Sequence, residues 1–158
     1  MSTTSSSSGL AKAILLTGLL AGTLDITAAI VMYITATGKS GFDVLRYVAS
    51  GAFGSQAFTG GMPMAIAGLI FHYIIAYSFT TIYFLLYKKI ILISKNTVIN
   101  AVVYGIVVWI IMNIIVLPLS NVPPFTFDLA KAIKGTTILI LAIGAPVSFL
   151  ANRFYSKQ

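Results

Sequence analysis

Four apolar runs, each of about twenty residues or more, constrain this chain more than any other feature. They cover about 13–36, 64–87, 98–117 and 129–151, and a helix needs about 20 apolar residues to cross the hydrocarbon of a bilayer. In that medium backbone N–H and C=O groups must be satisfied within the chain, so such runs become helices. The chain has 158 residues, which leaves room for no separate soluble module. Its 58% hydrophobic and 8% charged residues are far from a soluble domain, where about 25% are charged. The expected fold is therefore all-α: a polytopic membrane protein, built as a four-helix transmembrane bundle within 13–153.

The segments between the runs carry their own signals. The stretch STTSSSSG ahead of Leu10 has nothing to bury, so residues 1–12 read as a disordered Ser-rich tail. Residues 154–158 form a short C-terminal tail. Lys12 and the apolar stretch after it fit the first part of a signal peptide, with Ala21-Gly22 as small residues. Apolar character resumes after Asp25 through AAIVMYI, however, which is longer than a signal peptide needs, so the segment is expected to stay as a span. Thr37-Gly38-Lys39-Ser40-Gly41 reads as a turn. Phe42, Leu45, Val48, Ala49 and Phe53 follow at helical spacing, with Asp43 and Arg46 on another side, which predicts a short interfacial helix between spans one and two.

Four spans put both termini and the link between spans two and three on one side. That side holds Lys12, Lys88, Lys89, Lys95, Arg153 and Lys157, against Lys39, Arg46, Lys131 and Lys134 on the other. Six basic residues against four favour cytoplasmic termini. The net charge of +7 thus answers anionic lipid headgroups, the expected partner, and nucleic acid is not expected. Phe42-Asp43-Val44-Leu45-Arg46 also resembles Phe127-Asp128-Leu129-Ala130-Lys131. Capping of two helix starts accounts for both copies, and duplication of a hairpin-like unit is the sharper reading.

Asp25, one of three acidic residues, lies inside the first run. An ionised carboxylate at that depth costs about 2.5–3.5 kcal/mol on insertion scales, so it should face protein or water and have a partner. At a rise of about 1.5 Å per residue, depth can be counted from the presumed cytoplasmic ends. Asp25 stands about twelve residues up span one from Ala13. His72 and Asn113 stand about fifteen up their spans from Tyr87 and Val98, and Thr136 and Thr137 about fourteen or fifteen up span four from Ala151. These residues share one level, a little outside the midplane. Asp25 with His72 reads as a proton-titrating pair, because His changes charge near neutrality. The alternative is an interhelical hydrogen bond worth about 1 kcal/mol that holds the bundle together.

Other chemistry is poorly served. One His, no Cys and one buried carboxylate leave too few ligands for a metal site, and no cofactor is expected. No serine has a convincing His and acid constellation, and no phosphate-cradling loop is present. The reading is therefore non-enzymatic. Gly18-x-x-x-Gly22 and Gly68 are expected to serve helix packing. Tyr77 is deep enough to need a hydrogen-bond partner, whereas Tyr83 and Tyr87 read as interfacial anchors. Pro146 should kink span four.

Residues 105–129 close a span on Pro118-Leu119, turn through Pro123-Pro124 and resume at Phe127-Asp128-Leu129. With His72 followed by Tyr83 and the glycine-rich opening at Gly18 and Gly22, this pattern resembles the YagU-like inner-membrane proteins of bacteria, over about half of the chain. The resemblance implies a bacterial inner-membrane location and a loose link to acid tolerance, and it supplies no reaction. Thr136 follows Gly135 where that family's pattern carries a second histidine, so a two-histidine site does not carry over. The expected function is a small proton-responsive transporter or permeation-related protein built on Asp25, His72 and Asn113. Four spans leave little room for a private pathway, so a homo-oligomer or a partner membrane protein is expected. The competing expectation is a structural or accessory subunit whose polar layer only holds the helices together.

Overall fold

The computed structural model describes residues 4–123 and 128–157, with side chains from Ser8 onward. Residues 1–3 of the tail, and Pro124 and Phe127 of the motifs above, lie outside the described residues. Five helices carry the fold: α1 (Thr4–Thr37), α2 (Phe42–Phe53), α3 (Gly61–Ile93), α4 (Thr97–Leu119) and α5 (Leu129–Tyr155). All but α2 are long and apolar enough to cross a membrane.

Local chemistry sets the ends. Gly38 adopts φ 68° and returns its N–H to the Ile34 carbonyl at 2.8 Å, which closes α1 in the left-handed conformation glycine tolerates. Asn96 opens α4 by accepting from the backbone N–H groups of Val98 and Ile99 at 2.9 and 3.2 Å. Asp128 does the same for α5, accepting from Lys131 N–H at 3.1 Å. Asp43 in the echoing sequence caps nothing. It sits in the first turn of α2 and holds Arg46 at 3.0 Å.

Two long helices contain wide π-helical turns, Ile111–Val116 in α4 and Ile140–Gly144 in α5. Each stands just ahead of a proline, Pro118 or Pro146. Proline has no N–H for the carbonyl four residues back and its ring crowds that carbonyl, so the helix widens ahead of it.

Helix α1 packs between α3 and α5, α5 packs on α4, and α2 lies against the start of α3. Gly68 makes the α2 contact close, because a Cβ there would collide with the backbone carbonyl of Leu45. The ring of Phe53 at the end of α2 stands 5.9 Å from that of Phe71. Leu45, Ala49 and Ser50 are buried while Phe42, Tyr47 and Phe53 are exposed, so this short helix packs one face on the bundle and leaves the other open. On α1, Gly18 takes the ring of Tyr77, and Gly22 faces Tyr73 and Ala76.

The end of the bundle that carries both chain termini is densely filled. Phe79, Tyr83, Phe84, Tyr87, Val147 and Ala151 form its core. Tyr83 is only 1% exposed and donates to Ser148 at 2.9 Å, and Ser148 donates in turn to the Thr97 carbonyl at 3.0 Å. Tyr87 donates to Asn152 Oδ1 at 2.6 Å and stacks on Tyr155 with ring centres 4.7 Å apart. These two tyrosines are thus interior fastenings and not the interfacial anchors that composition predicts. Each phenol finds a partner on α5, so burial leaves no hydroxyl stranded.

Helix α1 starts at Thr4, within the stretch that composition reads as tail. Leu10 packs on the core with Ala13 and Ile14, and Phe154 stands beside Gly9. The extension of α5 to Tyr155 provides that surface, which a tail composition cannot reveal. On the outside, Leu15, Leu16, Ile70, Leu85, Leu92 and Leu141 are exposed, while Thr17, Ser50, Thr80 and Ser148 are buried. Apolar outside with small and hydroxylated residues inside is the pattern of helices that pack in lipid.

Candidate functional site

Toward the opposite end, which holds α2 and the loop after α4, the helices do not close on one another. Asp25, Ala29 and Met32 recur at helical spacing along one face of α1. With Tyr47 of α2, Trp109 and Asn113 of α4 and Gly135 of α5, they line a cavity of about 740 Å³. A second cavity of about 270 Å³ lies deeper, lined by His72 of α3, Ile75, Phe79, Val108, Met112 and Ile143 among others. Asp25, Tyr47, Asn113, Leu117 and Leu139 border both. Asp25 therefore stands where a wide space meets a narrow, mostly apolar one.

His72 is fixed by α1. Its Nε2 lies 2.8 Å from the Gly22 carbonyl oxygen. A carbonyl can only accept, so Nε2 carries a hydrogen and donates it. That leaves Nδ1 facing Asp25, 4.0 Å from Oδ2. The separation exceeds hydrogen-bond range, so the two groups are neighbours that share an environment. Their side chains are 10% and 19% exposed. With Nε2–H committed, protonation of the pair is confined to Nδ1 and the carboxyl group. Unprotonated, the pair carries one negative charge, and one added proton makes it neutral overall, whichever atom takes it.

The surroundings supply donors and aromatic faces. Asn113 sits in the π-helical turn of α4 and donates from Nδ2 to the Trp109 carbonyl at 2.9 Å. Within that turn Asn113 borders both cavities. Burial pushes the Tyr47 phenol above its ordinary 10.0, so it stays a neutral hydrogen-bond donor across the physiological range. Asp128 and Lys131 stand on the wall of the larger cavity, with Nζ 3.9 Å from Oδ2.

The residues that share a depth in the sequence separate in space. Asp25, His72 and Asn113 come together around the two cavities. Thr136 and Thr137 turn back onto their own helix, donating to the carbonyls of Ala132 and Ile133 at 2.8 and 2.9 Å, and they line neither cavity. Tyr77 lies over Gly18 and also lines neither. Tyr47, Trp109, Asp128 and Lys131 join the site without having been singled out for it. Trp109 was detectable one helical turn before Asn113, but Tyr47 has no signal beyond its place in α2.

Among the described residues no group of three or more His, Cys, Asp or Glu side chains is placed to hold a metal ion. Comparison with family models, with curated proteins and with solved structures returned no match for this chain.

Proposed function

We propose that this chain is a multi-pass protein of the bacterial inner membrane, with cytoplasmic termini, that exchanges protons at Asp25 as a small transporter or permeation-related protein. The observation that carries this reading is the place of Asp25 at the junction of two cavities, 4.0 Å from a His72 whose other nitrogen is already committed. A carboxyl group used only for packing has no need of open space on both sides, whereas one that loads and releases a proton does. Acidic side chains within membrane spans that face a cavity mark ion pathways and proton relays, which supports the same role. The resemblance to YagU-like proteins and its link to acid tolerance belong to this proposal. The basic residues near the termini serve anionic headgroups, and the protein works as a homo-oligomer or with a partner membrane protein.

The test is proton flux into proteoliposomes loaded with a pH-sensitive dye under an imposed pH gradient. Asp25→Asn should lower that flux at least about tenfold while far-UV circular dichroism stays unchanged. Absence of flux in the parent, or equal flux in the variant, overturns the proposal. The competing reading, an accessory subunit held together by its polar layer, draws on the His72–Gly22 bond that ties α3 to α1. It predicts that His72 substitution weakens assembly and that Asp25→Asn changes nothing but stability.

A further inference from the structure

We propose that the two cavities form a binding site for a small organic cation with an apolar body, and that this cation and a proton compete for Asp25. The inference deepens the proton-exchange reading and rests on it. Among the described residues, the charged and titratable groups that border the cavities are His72 from α3, Tyr47 from α2, and Asp128 and Lys131 from α5, around Asp25 of α1. Helix α4 contributes Asn113 and Trp109, which do not titrate. Lys131 and Asp128 face each other at 3.9 Å and cancel, and the Tyr47 phenol stays neutral. What remains is one negative charge shared by Asp25 and His72 when the pair holds no extra proton.

A single positive charge neutralises that site as well as a proton does. Two aromatic side chains, Trp109 and Tyr47, line the larger cavity with Asp25, and aromatic rings attract ammonium groups. The deeper cavity of about 270 Å³ is walled by Ile75, Phe79, Val108, Met112, Val116 and Ile143, which suits an alkyl or aryl group. A divalent metal ion finds no group of three or more His, Cys, Asp or Glu side chains among the described residues. The matched ligand therefore places its charge at Asp25 and its apolar part in the deeper space. An anion would meet the Asp25 charge without a free cationic partner.

Trp109 is the only tryptophan in the chain and borders the site, so its emission reports occupancy. The probe is n-butyltrimethylammonium, whose charge does not depend on pH, titrated into the detergent-solubilised full chain beside 1-pentanol and pentanoate. The cation should change Trp109 emission saturably, and the two controls at equal concentration should not. Its dissociation constant should rise by up to about tenfold per pH unit as the pair takes up its proton. This measurement needs no variant. Asp25→Asn should weaken binding at least tenfold, and Asp25→Glu should retain it. Pentanoate binding as tight as that of the cation, an affinity independent of pH, or full affinity in Asp25→Asn overturns the inference. Proton flux without cation binding overturns it while leaving the proton-exchange reading intact. Cation binding without proton flux supports the site and overturns transport.

Discussion

Around Tyr83 the long helices meet through buried rings and phenol hydrogen bonds, whereas around Asp25 they enclose spaces of about 740 and 270 Å³. Both regions contain polar side chains, but they spend them differently. In the filled half, Tyr83, Tyr87, Ser148 and Asn152 find one another across α3 and α5. Around the cavities, Asp25 reaches no hydrogen-bond partner among the described residues, and His72 stands 4.0 Å away. The π-helical turns of α4 and α5 lie between or beside these regions. A bundle this small thus gathers its buried rings at one end, where a cavity of about 310 Å³ opens beside Tyr87 and Tyr155 but not at Tyr83, and encloses its largest space around Asp25 at the other.

The largest expected effect is in the filled half. Tyr83→Ala should cost about 3–5 kcal/mol, the range for emptying an aromatic core site, read by reversible unfolding in mixed micelles. Tyr47→Ala, which removes a side chain 37% exposed, should cost about 1 kcal/mol or less. Equal losses would break the contrast between the halves.

Accessibility sharpens it next. The chain has no cysteine, so Asn113→Cys and Ser148→Cys each present a single thiol to a water-soluble maleimide. The cavity position should react at least about tenfold faster, because the buried one reacts only after local opening. Similar rates would mean that the cavities are closed to water or that the tyrosine core breathes.

His72→Phe should lower stability by about 1 kcal/mol through loss of the bond to the Gly22 carbonyl. A neutral result in the same unfolding assay would mean that packing and the 2.8 Å hydrogen bond between Thr23 and Tyr73 join α1 to α3 without it. The smallest effect concerns Tyr47. Its phenol is raised by burial in the folded chain, so the unfolded chain releases that proton first as pH passes 10.0. The stabilisation is present below that pH and declines above it. Tyr47→Phe should therefore show a shallower alkaline decline than the parent, and an unchanged slope would place the phenol in open water.

The existence and order of the four long helices were readable in the sequence, since length and apolarity in a bilayer leave little choice. The ends were less so. Helix α3 continues to Ile93, beyond Lys88-Lys89, because long basic side chains cap a membrane-length run without breaking a helix. At the site, depth along each helix was legible and orientation around it was not. Asn113 and Thr136 count to a similar height, yet one borders the cavities while the other bonds to Ala132 one turn back.

By itself the sequence determined four membrane-length helices and an acidic group at a costly depth, because both follow from the order of apolar residues along one dimension. The tertiary structure alone decided that Tyr83 is a buried fastening, that α2 lends Tyr47 to the site, and that Asp25 opens onto two cavities. Those outcomes depend on the rotation of each helix about its axis and on the turns widened ahead of Pro118 and Pro146. Rotation is set by side chains meeting across helices that lie far apart in sequence, as where the Gly22 carbonyl receives His72.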